Sequence, residues 1–156
     1  PILIIIIGLP DIAQFLLDRK QVKTWPVWVV VNLLSNACDA MEGAAEQRIT
    51  IRIAKLTDAE GEERIALTLR DTGPGIDDPS KIFDPFYSTK EVGSAEGMGL
   101  GLSISYGLVQ GFGGKLRGEN WTAAEGIGGA VFTVELLPAP SVKIGVQPIE
   151  LEGKVT

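Results

Sequence analysis

Between Val27 and Leu69 the hydrophobic period changes from that of a helix to that of strands, and this change limits the folds open to the chain. Apolar residues recur at Val29, Val30, Leu33, Leu34, Ala37, Cys38 and Met41. The i, i+3, i+4, i+7 spacing gathers them on one face of a helix. Pro26 stands near the start, where its missing N–H does no harm, and Gly43 predicts the stop after Glu42. Further on, Ile49, Ile51 and Ile53 alternate with polar or small residues, as do Ile65, Leu67 and Leu69. Period two is that of strands with one buried face. The polar run Asp58–Glu63 between them predicts an antiparallel hairpin. A helix and a sheet that are each apolar on one side cover one another, which predicts an α/β fold.

The opening Pro1–Ile7 is almost wholly aliphatic. A membrane span needs ~20 consecutive apolar residues, and Gly8, Pro10 and Asp11 interrupt this run too early. It also lacks the basic start of a signal peptide, so a buried strand is expected. Asp11–Lys23 reads as a short helix or irregular linker. A chain of 156 residues is one domain. The single cysteine, Cys38, excludes an internal disulfide. A net charge of −6 gives no basic stripe for a nucleic-acid backbone.

After the hairpin, Asp77–Gly97 has weak periodicity and is long for a plain connection, so it reads as a lid. A second helix is expected from Ser103 to about Gln110, ended by Gly111, Gly113 and Gly114. Strands at Lys115–Glu119 and Ala130–Leu136 close a domain spanning 1–138. Residues 139–156 read as a tail or linker.

Three groups of residues carry chemistry. Strand parity puts Asp71 on the face of Ile65, Leu67 and Leu69, where an unpaired carboxylate is costly. Either it caps the Thr72-Gly-Pro-Gly turn, or a ligand donor such as an exocyclic amino group meets it, with Gly73 and Gly75 letting the backbone approach a flat ring. Gly97, Gly99 and Gly101 alternate just before a helix, so free N–H groups converge on its N-terminus, where anions bind. Asn32 and Asn36 share a helix face one turn apart. They are either solvated or ligands for Mg²⁺, which accepts such oxygens beside phosphate.

Together these segments resemble the catalytic ATP-binding domain of sensor histidine kinases. Asn32-Leu-Leu-Ser-Asn-Ala-Cys-Asp-Ala-Met41 is similar to the N box, and Asp71-Thr-Gly-Pro-Gly-Ile76 to the G1 box. Ile82-Phe-Asp-Pro-Phe-Tyr-Ser-Thr-Lys90 is similar to the F box, and Gly97-Met-Gly-Leu-Gly-Leu-Ser103 to the G2 box. Their wording is nearest to the C4-dicarboxylate and nitrogen sensors, and the likeness runs from about Val27 to Pro138. It implies a two-layer α/β sandwich, the Bergerat fold, with helices on one face of a mixed sheet and a mobile lid over ATP. On this likeness Asn36 coordinates Mg²⁺ and Asn32 supports the metal or the phosphates. Asp71 takes the adenine amino group, with Gly73, Gly75 and Ile76 shaping the base pocket. Lys90 reaches the phosphates from the lid, and Gly97, Gly99 and Gly101 offer them N–H groups. Asp39, Met98, Leu100 and Leu102 complete the implied ATP contacts. Phe83, Phe86 and Tyr87 are expected to anchor the lid on the core.

Gyrase-type members of this superfamily carry a glutamate general base where Asn32 stands. An amide cannot accept that proton, so ATP is expected to be held and donated rather than hydrolysed quickly. The chain contains no histidine, and the helical hairpin bearing a phosphoacceptor histidine has no room before Ile2. The resemblance therefore implies an excised cytoplasmic catalytic domain, including the case of a membrane-anchored sensor. Its partners would be a separate histidine-bearing dimerisation domain and, indirectly, a response regulator, with no membrane contact of its own. The alternative is a superfamily member that phosphorylates serine or uses ATP as a conformational clamp.

Overall fold

The computed structural model describes residues 2–8, 27–88, 99–123 and 126–138. The linker or helix expected at 11–23, the later part of the lid and the tail from 139 lie outside them. Among the described residues, five strands form one mixed sheet in the order β1-β2-β3-β5-β4. They are β1 (Leu3–Gly8), β2 (Arg48–Thr57), β3 (Glu63–Asp71), β4 (Lys115–Ala123) and β5 (Gly126–Leu136). Only the β1–β2 pairing is parallel. The helices among the described residues are α1 (Val27–Ala40) and α2 (Gly101–Gly111).

The expected alternation decides which face is covered. Ile49, Ile51 and Ile53 of β2 join Ile65, Leu67 and Leu69 of β3, Phe132 and Val134 of β5, and Leu116 of β4 in one core. The stripe of α1 enters the same core: Val29, Leu33, Ala37 and Met41 are buried, while Val30, Leu34 and Cys38 pack at its margin. On the other face of the central strands, Arg52 and Arg70 are exposed. Toward the other end of that face, Arg64, Ala66 and Glu135 are buried.

The opening strand departs from expectation. It forms, but Leu3, Ile4 and Ile7 are 55%, 52% and 51% exposed, so it is not buried. It sits at the sheet edge, with β2 its only strand neighbour among the described residues, and β2 alone cannot cover two faces. Sequence patterning reports what a segment would bury, whereas edge position decides what it does bury. The strands of the closing hairpin, in turn, extend further toward each other than expected.

The polar turn between β2 and β3 is organised by Asp58. Its Oδ1 accepts from the backbone N–H of Glu62 and Glu60 at 2.8 and 3.1 Å, and Arg64 Nε donates to its Oδ2 at 2.6 Å. The Arg64 hydrogen bond first, and then the Glu62 N–H, hold this carboxyl below the usual carboxylate range. A carboxylate with a depressed folded pKa stabilises the fold above its unfolded value, and that contribution is lost as pH falls through the folded value. Asp58→Asn should therefore be less stable than the parent at pH 7, with the gap narrowing below about pH 4. Urea unfolding at pH 7 and pH 3 checks this; an equal gap at both would show that the charge does not hold the turn.

Candidate functional site

Asp71 ends β3 on the core face, and it is only 2% exposed. Its Oδ1 accepts from the backbone N–H of Gly73 at 2.9 Å and of Ala130 at 3.0 Å. The turn-capping reading is thus met at Oδ1. Asp71 also lines a cavity. Thr72 ties the same turn to the start of β2: Arg48 N–H donates to Thr72 Oγ1 at 3.0 Å, and Oγ1 donates to the Glu46 carbonyl just before that strand at 3.1 Å.

The cavity measures about 400 Å³, within the ~300–1,000 Å³ of small-molecule sites. Asn32, Asn36 and Asp39 of α1 line one wall, as their shared helix face requires. Asn32 is fixed by donating from Nδ2 to Ser105 Oγ at 3.0 Å. Ser105 itself is fully buried in α2, so the two helices are joined through a polar contact beside the cavity. A Cβ added at Gly101 would stand 2.5 Å from Asn32 Oδ1, so glycine there lets α2 begin against the asparagine.

Gly99, Gly101 and Leu102 line the cavity where α2 starts. No side chain caps that start, which leaves the N–H groups of the first turn for a ligand and gives the end partial positive charge. Gly99 has φ +63°, and a Cβ there would meet the Tyr87 carbonyl at 2.6 Å. Phe86 N–H donates to the Gly99 carbonyl at 3.1 Å. The F-box turn and the glycine segment are therefore in direct contact.

The first half of the expected lid is anchored. Residues 78–87 form successive turns, and Ile82 among them is 5% exposed in the core. Phe83 and Tyr87 pack against the core as expected, and Phe83 stacks on Tyr106 with ring centroids 4.9 Å apart. Phe86 does not. It is 75% exposed, because its φ of +67° turns the side chain away from the course its neighbours follow. It is not a core anchor.

Asn32, Asn36, Asp39, Asp71, Gly75, Ile76, Gly99, Gly101 and Leu102, all singled out from sequence, come together around this cavity. Gly73 contributes through its bond to Asp71, and Leu100 does not reach the lining but accepts from Ile104 N–H at the head of α2. Lys90, Gly97 and Met98 lie outside the described residues. Sequence reading missed Ser105, Asn120 and Trp121. Asn120 pairs with the backbone of Ile76, and Trp121 Nε1 donates to the Asp71 carbonyl at 2.8 Å. A lone polar residue in a strand gives no sign of a partner 44 positions away.

Residues 22–141 match the family described as histidine kinase-, DNA gyrase B-, and HSP90-like ATPase. The chain is 35% identical over 131 residues to the C4-dicarboxylate transport sensor protein DctB of Pseudomonas aeruginosa, covering 76% of this chain and 20% of that protein. It is 36% identical over 132 residues to the DctB of Rhizobium meliloti, covering 83% and 18%. The chain thus spans about a fifth of the length of these relatives. The fold agrees with that of the mycobacterial sensor histidine kinase MprB, with a TM-score of 0.63, 24% identity, and 89% and 83% of the two chains covered. No helix among the described residues is long and apolar enough to cross a membrane. With described residues of all four boxes lining one cavity of a mixed α/β fold, the chain belongs to the family of histidine kinase-, DNA gyrase B-, and HSP90-like ATPases, as the ATP-binding domain of the sensor-kinase kind.

Proposed function

We propose that this domain holds Mg²⁺-ATP in the cavity between α1, α2 and the sheet and donates the γ-phosphoryl group to a histidine on a separate dimerisation domain. The observation that carries the proposal is the polarity of the cavity. A buried carboxylate lines it at the end of β3, while amides and an uncapped helix N-terminus line it where α1 and α2 meet. An adenine amino group suits the first end and phosphates suit the second. Asp71 takes the amino group, Gly73, Gly75 and Ile76 shape the slot for the ring, and Gly97, Gly99 and Gly101 offer N–H groups to the phosphates. Asp39, Met98, Leu100 and Leu102 complete the surround, and Lys90 adds a positive charge.

Asn36 fits Mg²⁺: its amide oxygen is a hard donor without the negative charge that would repel a triphosphate. When bound, the metal neutralises phosphate charge, and Asn32 supports the same end. Asn36→Ala should reduce the gain in ATP affinity that Mg²⁺ provides, with little loss of fold, because the side chain lies off the buried stripe. Titrations with and without Mg²⁺ check this. An equal gain in parent and variant would show that Asn36 is not the ligand.

Catalysis then rests on positioning and charge neutralisation. Asn32 cannot take a proton from water, and a positioned base is typically worth 10²–10⁴-fold in rate, so hydrolysis is slow. The partners are the histidine-bearing hairpin of a parent kinase and, beyond it, a response regulator, all on the cytosolic side. The test is to incubate the domain with labelled ATP, alone and with such a hairpin. Label on the hairpin histidine with little free phosphate supports the proposal. Fast hydrolysis that Asp39→Asn abolishes would overturn it in favour of an ATPase. Absence of transfer to any histidine hairpin would favour a serine kinase or an ATP-gated binding module.

A further inference from the structure

We propose that Asn120 and Trp121, consecutive residues of β4, are positioning residues that fix the base end of the cavity and so set its selectivity for an amino-bearing purine. The inference rests on the reading of Asp71 as acceptor for that amino group. Ladder pairing between β3 and β5 stops at Arg70 and Val131. At the next position, where Asp71 meets Ala130, side chains replace the ladder. Ala130 N–H donates to the Asp71 carboxylate at 3.0 Å, and the Asp71 carbonyl accepts from the Trp121 indole at 2.8 Å. Because β5 separates β4 from β3, the indole must reach across it.

Two glycines make that reach possible. A Cβ at Gly128 would overlap the Trp121 ring, and one at Gly129 would overlap the Asp71 carbonyl oxygen. The Arg70 guanidinium lies 3.9 Å from the indole ring centroid, a cation–π contact that holds the ring. The backbone of Asp71 is thereby fixed by a group on β4.

Asn120 points the other way from its neighbour, as strand alternation demands. Its Oδ1 accepts from Ile76 N–H at 2.6 Å, and its Nδ2 donates to the Ile76 carbonyl at 2.8 Å. Two opposed bonds to one residue are what a neighbouring strand would supply. Ile76 follows Gly75, whose φ is +90°, so the chain is reversing there and has no ladder to hold it. Asp71 and Ile76 both line the cavity from the two ends of this turn, and β4 holds each of them. The gap between them is the slot for a base. Sites need support of this sort to keep contacting groups within about 0.5 Å of their working positions.

The test compares ADP with inosine diphosphate, in which a carbonyl replaces the base amino group, by calorimetry on the full chain at a temperature where every variant is folded. The parent should prefer ADP, and Asp71→Asn should lose the preference. Asn120→Ala should weaken ADP binding about tenfold, the scale of one lost hydrogen-bonded pair, and shrink the ADP preference. Trp121→Phe, which keeps a ring and removes the N–H, should shrink the preference too. Asn120→Asp retains the acceptor and loses the donor, so it should fall between parent and Asn120→Ala. A merely structural role would lower the melting temperature but leave the ratio of the two affinities intact. If Asp71→Asn loses the preference while all three β4 variants keep it, the positioning role is overturned and the Asp71 reading stands. If the parent shows no preference, the Asp71 reading fails and this inference fails with it.

Discussion

Gly129→Ala should destabilise the fold by about 3 kcal/mol or more and abolish nucleotide binding at temperatures where the parent still binds. Gly129 has φ +130°, a conformation that costs a residue with a Cβ about 1–3 kcal/mol on its own. A Cβ would also fall within the contact radius of the Asp71 carbonyl oxygen. That oxygen is backbone, and it is already held by Trp121, so no side-chain rotation relieves the overlap. The strand must move away from β3, and with it goes the Ala130 N–H that fixes the Asp71 carboxylate. Gly107 provides the contrast. It lies within α2 with nothing inside 4 Å of an added Cβ, so Gly107→Ala should stabilise by up to about 1 kcal/mol. Chemical denaturation of the two variants decides the matter. Equal midpoints for Gly129→Ala and the parent would mean that β5 has room at this position.

Asp71→Asn should weaken ADP binding by about 1–3 kcal/mol, the range for a hydrogen bond to a charged group, or roughly ten- to a hundredfold. The geometry makes the amide a poor substitute. Two backbone N–H groups require an oxygen at the Oδ1 position, so the new NH₂ must take the Oδ2 position, which on the proposed reading meets the base. A donor would then meet the donor of the base. Calorimetry with ADP checks this, and an unchanged dissociation constant would remove Asp71 from the base pocket.

What could be read from sequence follows from how local its cause is. The α1 stripe, the β2–β3 hairpin and the burial of Asp71 depend on period alone, and each is found as the period predicts. The contacts that finish the site are long-range. Asn32 meets Ser105 across 73 positions, and Trp121 meets Asp71 across 50. A serine inside a helix or a tryptophan in a strand carries no mark of such a partner. The exposure of β1 was illegible for a related reason, since an isoleucine run has the same composition at the edge of a sheet as at its centre. Phe86 shows the limit at a single residue. Its aromatic character suggested burial, and its backbone conformation, set by contact with Gly99, points it outward.

A crystal structure of the full chain with ADP tests the central claim most directly. The account predicts the exocyclic amino nitrogen within about 2.7–3.2 Å of Asp71 Oδ2, with the phosphates directed to the start of α2 and the Asn32–Asn36 wall. A base bound elsewhere, or a phosphate beside Asp71, would contradict it.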